Sequence, residues 1–308
     1  MEVKQWTYEE YPEFQDDNVD GIIETTGDEP GAHYYPDVVY AKINDTELHL
    51  QIMVPYSRNT PEGTEKYPCF VYVQGSAWGK QDVHASVPLV SRYAEKGYVS
   101  VIVEYRHSGI APFPACIVDA KNAVRFLRKN AEQYSVDPDR IIMAGSSSGG
   151  HTAVYSGILK TDDTKDNLYP GITAKTAGIV DYYGSVSVMA EDANPTTLDH
   201  CLPTSPEGRE MGGINLRENP EKRKLLSCEC NITEDTDIPP VILFHGTKDR
   251  TVNPNGSKAL YEQLKKTGHE AYFYLVKGAD HGRAEFFKPE VIDITDAFMK
   301  KCFAKNQK

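Results

Sequence analysis

"IIMAGSSSGGHTA", residues 141–153, decides how this chain is read. Three consecutive serines stand between glycines, straight after an apolar run. The run reads as a short strand and the segment after it begins a helix, so the serines occupy a strand-to-helix turn. Gly145–Ser146–Ser147–Ser148–Gly149 fits G-x-S-x-G, the pattern in which a serine is held on a tight, strained corner. Such a corner needs small residues two before and two after the nucleophile. Only Ser147 has glycine at both places; Ser146 would have Ala144 and Ser148 there, and Ser148 would have Ser146 and Gly150. Ser147 is therefore the expected nucleophile. The backbone N–H of Ser148, at the helix N-terminus, is placed to stabilise an oxyanion, and Ser146 has no catalytic part. The competing reading is a polar loop or a Gly-rich phosphate-binding turn; the strand–turn–helix setting favours the corner.

A nucleophile on such a corner takes its partners in the chain order Ser, then Asp or Glu, then His. Downstream, "LFHGTKDRTVNP" (243–254) puts Asp249 just past a buried strand, and "LVKGADHGRAEF" (275–286) puts His281 just past the next. Both fall at the carboxyl ends of strands, where an open α/β sheet assembles its site. His281 then serves as the proton carrier and Asp249 orients its imidazole. His245 more simply shapes the Asp249 loop, His151 on the helix after the corner is structural, and Asp280 adjoins His281 too closely in sequence to face it. A second oxyanion donor is expected from "VQGSAWGKQD" (73–82), where Gly75, Ser76 and Ala77 are small enough for the backbone to approach a substrate.

The rest of the chain alternates strands with helices. "DVVYAKI" (37–43) and "ELHLQIMVP" (47–55) suggest a hairpin, and "YPCFVYVQG" (67–75) and "YVSVIVEYRH" (98–107) suggest buried strands. Ile117, Ala120, Val124 and Leu127 fall at spacings of three, four and three, one apolar helical face, which leaves Arg125, Arg128 and Lys129 to the solvated side. "AGIVDYYG", "PPVILFHG" and "AYFYLVKG" give further strands, and the segment from Pro289 closes the chain as an amphipathic helix. This rhythm implies an α/β class with a mostly parallel sheet and helices on both faces. One interval, about 185–237, has no strand pattern and is rich in Pro, Gly and charge; it is expected to form a small cap or lid over the carboxyl edge of the sheet. The domain organisation expected is an N-terminal arm over 1–37 and one catalytic domain over 38–308.

Composition narrows the function classes. Thirty-three Lys plus Arg against 45 Asp plus Glu give a formal charge of −12, which argues against nucleic acid as a partner. No stretch approaches the ~18 apolar residues of a membrane span. The first residues, "MEVKQWTYEEYPEFQDD", are acidic and lack the apolar core of a secretory signal, so a cytoplasmic setting is expected. The six cysteines are scattered; "CEC" (228–230) is a C-x-C pair without a completing pair or nearby His, so free thiols and no metal or other cofactor are expected.

The residues resemble a known family. "YVQGSAW", "EYRHSGIAPFPACIVDAKNAVRFLRKNAEQYSVDPDRIIMAGSSSGGHTA", "PPVILFHGTKDRTVNPNGS" and "GADHG" are similar to the α/β-hydrolase esterases of the bacterial acetyl esterase and feruloyl esterase group, relatives of the hormone-sensitive-lipase-like enzymes. The resemblance runs from about Val38 to the C-terminal helix. It implies an α/β-hydrolase fold and a serine esterase whose triad is Ser147, Asp249 and His281. The family's oxyanion loop is usually H-G-G-G-W; here it is Gln74–Gly75–Ser76–Ala77–Trp78, so the donor amides implied are those of Ser76 and Ala77, with Ser148. Side chains at both positions narrow the pocket against bulky or long-chain esters. The substrates implied are short-chain or carbohydrate-linked esters, acetyl or hydroxycinnamoyl, with Trp78 and the Tyr182–Tyr183 pair, Tyr183 in particular, as candidate pocket walls. Expected partners are a small ester, oligosaccharide-linked in one form; the sequence leaves a homo-oligomer open. Two other readings stand beside this one: a prolyl-oligopeptidase-like peptidase, and a non-catalytic ligand-binding protein of the same fold.

Overall fold

The computed structural model describes residues 3–190, 195–282 and 284–306. Eight strands build one sheet: β1 (Gly31–Ile43), β2 (Thr46–Tyr56), β3 (Tyr67–Val73), β4 (Val99–Val103), β5 (Val136–Ser146), β6 (Gly178–Tyr182), β7 (Val241–Gly246) and β8 (Ala271–Val276). Their order is β1-β2-β4-β3-β5-β6-β7-β8. The β1–β2 hairpin and the β2–β4 pair are antiparallel, and every pair from β4 across to β8 is parallel. β1 begins at Gly31, inside the stretch expected to be an arm.

Alternation along the strands builds two cores. Val71, Val101, Met143 and Leu243 face the side covered by α2 (Ala115–Lys129), α3 (Ser148–Ile158) and α6 (Pro254–Lys266). Phe70, Ile102, Ile142 and Ile242 face the side covered by α1 (Val87–Ala94) and α7 (Pro289–Asn306). A period of two puts consecutive residues on opposite faces, so strands buried on both faces must be apolar throughout, as β4 "VSVIV" nearly is. Gly97 follows α1 in the left-handed region, φ +83°, where a side chain would be strained.

One expectation for α2 fails. Arg125 is not solvated but fully buried. The loop after α3 covers that face, and the guanidinium donates to the Ile172 carbonyl at 3.1 Å, Thr161 Oγ1 at 3.1 Å and Asp162 at 3.0 Å. An amphipathic pattern shows where apolar residues go; it cannot show which polar ones a later loop will cover.

Among the described residues the interval 185–237 contains no strand. It holds α4 (Pro206–Glu210), α5 (Pro220–Leu226) and a 3₁₀ turn at Cys228–Asn231. Val188, Cys201, Met211, Leu216 and Leu226 give it a small core of its own. No disulfide ties it down: the six cysteines are free thiols, Cys228 buried and Cys230 exposed. No described helix is long and apolar enough to cross a membrane.

Close packing at the β5–α3 corner yields a first prediction. A Cβ on Gly149 would lie 2.0 Å from the Val73 carbonyl oxygen, a backbone atom that cannot swing away. Gly149→Ala should cost about 3 kcal/mol or more in urea unfolding. Gly21→Ala, with nothing within 4 Å of the new atom, should stay within about 0.5 kcal/mol.

Candidate active site

β5, β7 and β8 end at the same edge of the sheet, with β6 between β5 and β7, and the three reactive residues follow shortly after those ends. Ser147 is the residue after β5, Asp249 comes three after β7, and His281 five after β8. Ser147 has φ +53° and ψ −124°, a backbone conformation that side chains rarely adopt and that costs about 1–3 kcal/mol. Neighbours hold it there. Its N–H donates to the Tyr182 carbonyl at 3.0 Å, and its own carbonyl accepts from His151 N at 3.1 Å and Ser185 N at 3.3 Å. The glycines two away are sterically required: a Cβ on Gly145 would come within 2.1 Å of the Gly149 carbonyl oxygen.

The side chains form one continuous chain. Ser147 Oγ lies 2.9 Å from His281 Nε2, and His281 Nδ1 lies 2.8 Å from Asp249 Oδ2. With Nδ1–H donating to the carboxylate, Nε2 is left to accept the serine proton. Asp249 Oδ1 accepts from the amides of Thr251 at 2.9 Å and Val252 at 2.8 Å. Burial by itself would raise the Asp249 pKa. Hydrogen bonds from His245 and His281, and the charge of His281, outweigh it and hold the carboxyl well below the usual carboxylate range.

His245, near the end of β7, reaches into the Asp249 loop, its Nε2 3.1 Å from Asp249 Oδ2 and 2.9 Å from the Val252 carbonyl. Asp280 turns away to Arg250, which donates to it through Nε at 2.7 Å. His151 is buried; burial lowers its pKa to about 4, and its Nε2 meets the Leu226 carbonyl at 2.9 Å, so it is neutral and fixed. Trp78 packs edge-on against His151 with ring centroids 5.1 Å apart, and Tyr183 edge-on against His281 at 4.9 Å. Both line the cavity as nearly buried walls.

The oxyanion loop departs from expectation. The Ser76 amide donates to Ser148 Oγ at 3.0 Å, so it is already committed. Ser148 thus adds a side-chain part to its backbone one. Ala77 and Trp78 are both left-handed, at φ +54° and +52°, in the stretch where the resembled family carries glycines. Ala77 and Ser148 border the cavity beside Ser147. Ser146, without a catalytic part, anchors this loop: its Oγ accepts from Gly75 N at 3.2 Å and from Tyr72 Oη at 2.6 Å. Ser146→Ala should therefore lower stability by about 1–3 kcal/mol and reduce kcat/KM about tenfold, measured by thermal unfolding and ester turnover. Stability lost with kcat/KM unchanged would show that the anchor does not position the loop.

The cavity around Ser147 has a volume of about 270 Å³. A larger one, about 800 Å³, lies at the opposite edge of the sheet, among residues that begin β5 or precede β6 and β7, and contains no triad member. Two of its charged groups serve the fold: Lys121 Nζ donates to the Leu159 carbonyl at 2.6 Å, and Arg128 Nε to that of Pro138 at 2.9 Å.

The BD-FAE family model matches residues 55–264, well over half of the chain. The chain belongs to the BD-FAE family. This is a family of hormone-sensitive-lipase-like esterases, in line with the resemblance carried by the sequence motifs. Esterase LipQ of Mycobacterium tuberculosis is 29% identical over 217 residues, 67% of this chain and 48% of LipQ. The chain spans about half the length of the curated relatives it matches. Among solved structures, the truncated form of a carbohydrate esterase from gut microbiota superposes with a TM-score of 0.77 at 25% identity, over 90% of this chain and 98% of that one. A bifunctional GH43-CE protein of Bacteroides eggerthii gives 0.73 at 27%, over 90% of this chain and 38% of that one. The BD-FAE chain has the α/β-hydrolase fold, and the matched span includes Ser147 and Asp249, with His281 just beyond it.

Three residues of the interval 185–237 reach the site without a sequence signal. Ser185, His200 and Glu207 join the cavity wall, although no motif marks them.

Proposed function

We propose that this BD-FAE chain is a serine carboxylesterase that removes short acyl groups, acetyl foremost, from hydroxylated carbohydrate. The observation that carries the reading is the Ser147–His281–Asp249 chain, with spacings of 2.9 and 2.8 Å, at the wall of a cavity. Ser147 Oγ attacks the ester carbonyl carbon as its proton passes to His281 Nε2. The oxyanion meets the amides of Ala77 and Ser148. Collapse breaks the bond to the alcohol oxygen, which leaves with the proton from His281. Water then gives a proton to the same nitrogen, attacks the acyl-enzyme, and releases the acid and a regenerated serine. Asp249 keeps its charge throughout and stabilises the imidazolium.

The small cavity supports a short acyl group, and the carbohydrate esterases among the structural relatives support a sugar as the alcohol part. The test is a panel of acetylated xylan oligomers, methyl ferulate, and p-nitrophenyl esters of graded chain length. The expected result is acetate release with a fall in kcat/KM as the acyl chain grows. Ferulate release without acetate release would move the substrate to the hydroxycinnamoyl class, and no turnover of any ester would end the esterase reading.

A further inference from the structure

The cavity wall contains a carboxylate that the triad does not use. Glu207, in α4, is 2% exposed. Its Oε1 accepts from Ser185 Oγ at 2.8 Å, and His200 Nδ1 lies 2.8 Å from it. His200 in turn reaches the Thr251 carbonyl through Nε2 at 2.7 Å. Thr251 belongs to the loop that holds Asp249, and the Ser185 amide donates to the Ser147 carbonyl at 3.3 Å. Glu207 is thereby tied to both the nucleophile's corner and the acid's loop. Its second oxygen, Oε2, is buried and has no protein partner. A buried carboxylate oxygen without a donor costs about 1–3 kcal/mol or more, so a residue held this firmly with one oxygen unspent is arranged for a donor from outside the fold.

We propose that Glu207 Oε2 is the specificity-determining acceptor for a hydroxyl of the substrate's alcohol part, next to the esterified oxygen of a sugar ring. This deepens the carbohydrate-esterase reading and rests on it. The chemistry favours a neutral hydroxyl over a cation. Glu207 is the one carboxylate among the described lining residues, and Oε1 already faces an imidazole. A desolvated ammonium asks for several acceptors, whereas a sugar hydroxyl asks for one. Trp78, also on the wall, has a buried indole N–H without a protein partner. A hydroxyl-bearing ring can donate to a carboxylate and accept elsewhere; a purely apolar alcohol can do neither. The cap interval, whose sequence carries no catalytic motif, would in this way set what the triad acts on.

The experiment pairs a change in the enzyme with the matching change in the substrate. Mono-O-acetyl methyl xylosides are compared with their deoxy analogues lacking the neighbouring hydroxyl, and p-nitrophenyl acetate serves as reference. Wild-type enzyme should lose about 10–100-fold in kcat/KM when the hydroxyl is removed, the size of a hydrogen bond to a charged acceptor. Glu207→Gln replaces the carboxylate by a neutral amide at the same place, and Ser185 Oγ can still donate to the remaining oxygen. In that variant the ratio of kcat/KM for the xyloside ester to that for p-nitrophenyl acetate should fall at least about tenfold, and the penalty for removing the hydroxyl should shrink with it. The wild-type comparison needs no variant, so misfolding of Glu207→Gln cannot hide the answer. Equal wild-type turnover of xyloside and deoxy analogue, or an unchanged ratio in Glu207→Gln, overturns the role of Glu207 while the esterase reading stands. Turnover of p-nitrophenyl acetate without turnover of any acetylated xyloside overturns the carbohydrate reading, and this proposal with it.

Discussion

Ser147→Ala should reduce kcat for p-nitrophenyl acetate about 10⁴–10⁶-fold with little change in KM. The reason lies in the local geometry. Ser147 Oγ is the atom 2.9 Å from His281 Nε2; the neighbouring hydroxyls are spent elsewhere, that of Ser146 on Gly75 and Tyr72, that of Ser148 on Ser76. No adjacent serine can take over the attack. The variant should fold, because alanine occupies the same backbone conformation and the amide and carbonyl bonds to Tyr182, His151 and Ser185 remain. Steady-state kinetics beside a thermal unfolding curve check both halves. A variant that keeps more than about a tenth of wild-type kcat would contradict the assignment.

Asp249→Asn should cost about 10⁴-fold in kcat while leaving the cavity intact. Thr251 and Val252 hold one side-chain oxygen through their amides, which orients the asparagine with its NH₂ toward His281. The imidazole must then accept at Nδ1, so its proton moves to Nε2 and faces Ser147, the wrong tautomer for taking a proton. The same carboxylate leaves a signature in stability. Its folded-state pKa lies below the ordinary value, so its contribution is present above the unfolded pKa of about 4 and is lost as pH falls through the folded value. Wild type should therefore lose stability in acid more steeply than Asp249→Asn, as urea titrations between about pH 5 and 2 would show. Parallel acid profiles would mean that the folded protein does not hold Asp249 ionised.

Much of the site was legible in the sequence because its constraints are local. The corner needs glycine on both sides of the nucleophile, and that requirement picks Ser147 from three adjacent serines. Asp249 and His281 follow strands whose apolar runs stand out, and chain order links them to the serine. What was not legible depends on contacts between distant segments. The commitment of the Ser76 amide to Ser148 Oγ joins residues 72 apart in sequence, and no motif encodes it. Arg125 reads as solvated because its helix is amphipathic; the loop carrying Thr161, Asp162 and Ile172 buries it. Glu207 and His200 sit in an interval without periodicity, whose small core forms only when Val188, Cys201 and Leu226 meet. In the sheet, pattern determines position; in the interval 185–237, position comes from tertiary packing.

The central claim is that the middle serine of "GSSSGG" carries the acyl group. Labelling with a fluorophosphonate, an electrophile that bonds covalently to an activated serine, followed by peptide mapping with tandem mass spectrometry, tests it at the level of the atom. One adduct per chain, localised to Ser147 and absent from Ser147→Ala, is the result predicted. An adduct on Ser146 or Ser148, or labelling that survives in Ser147→Ala, would contradict it.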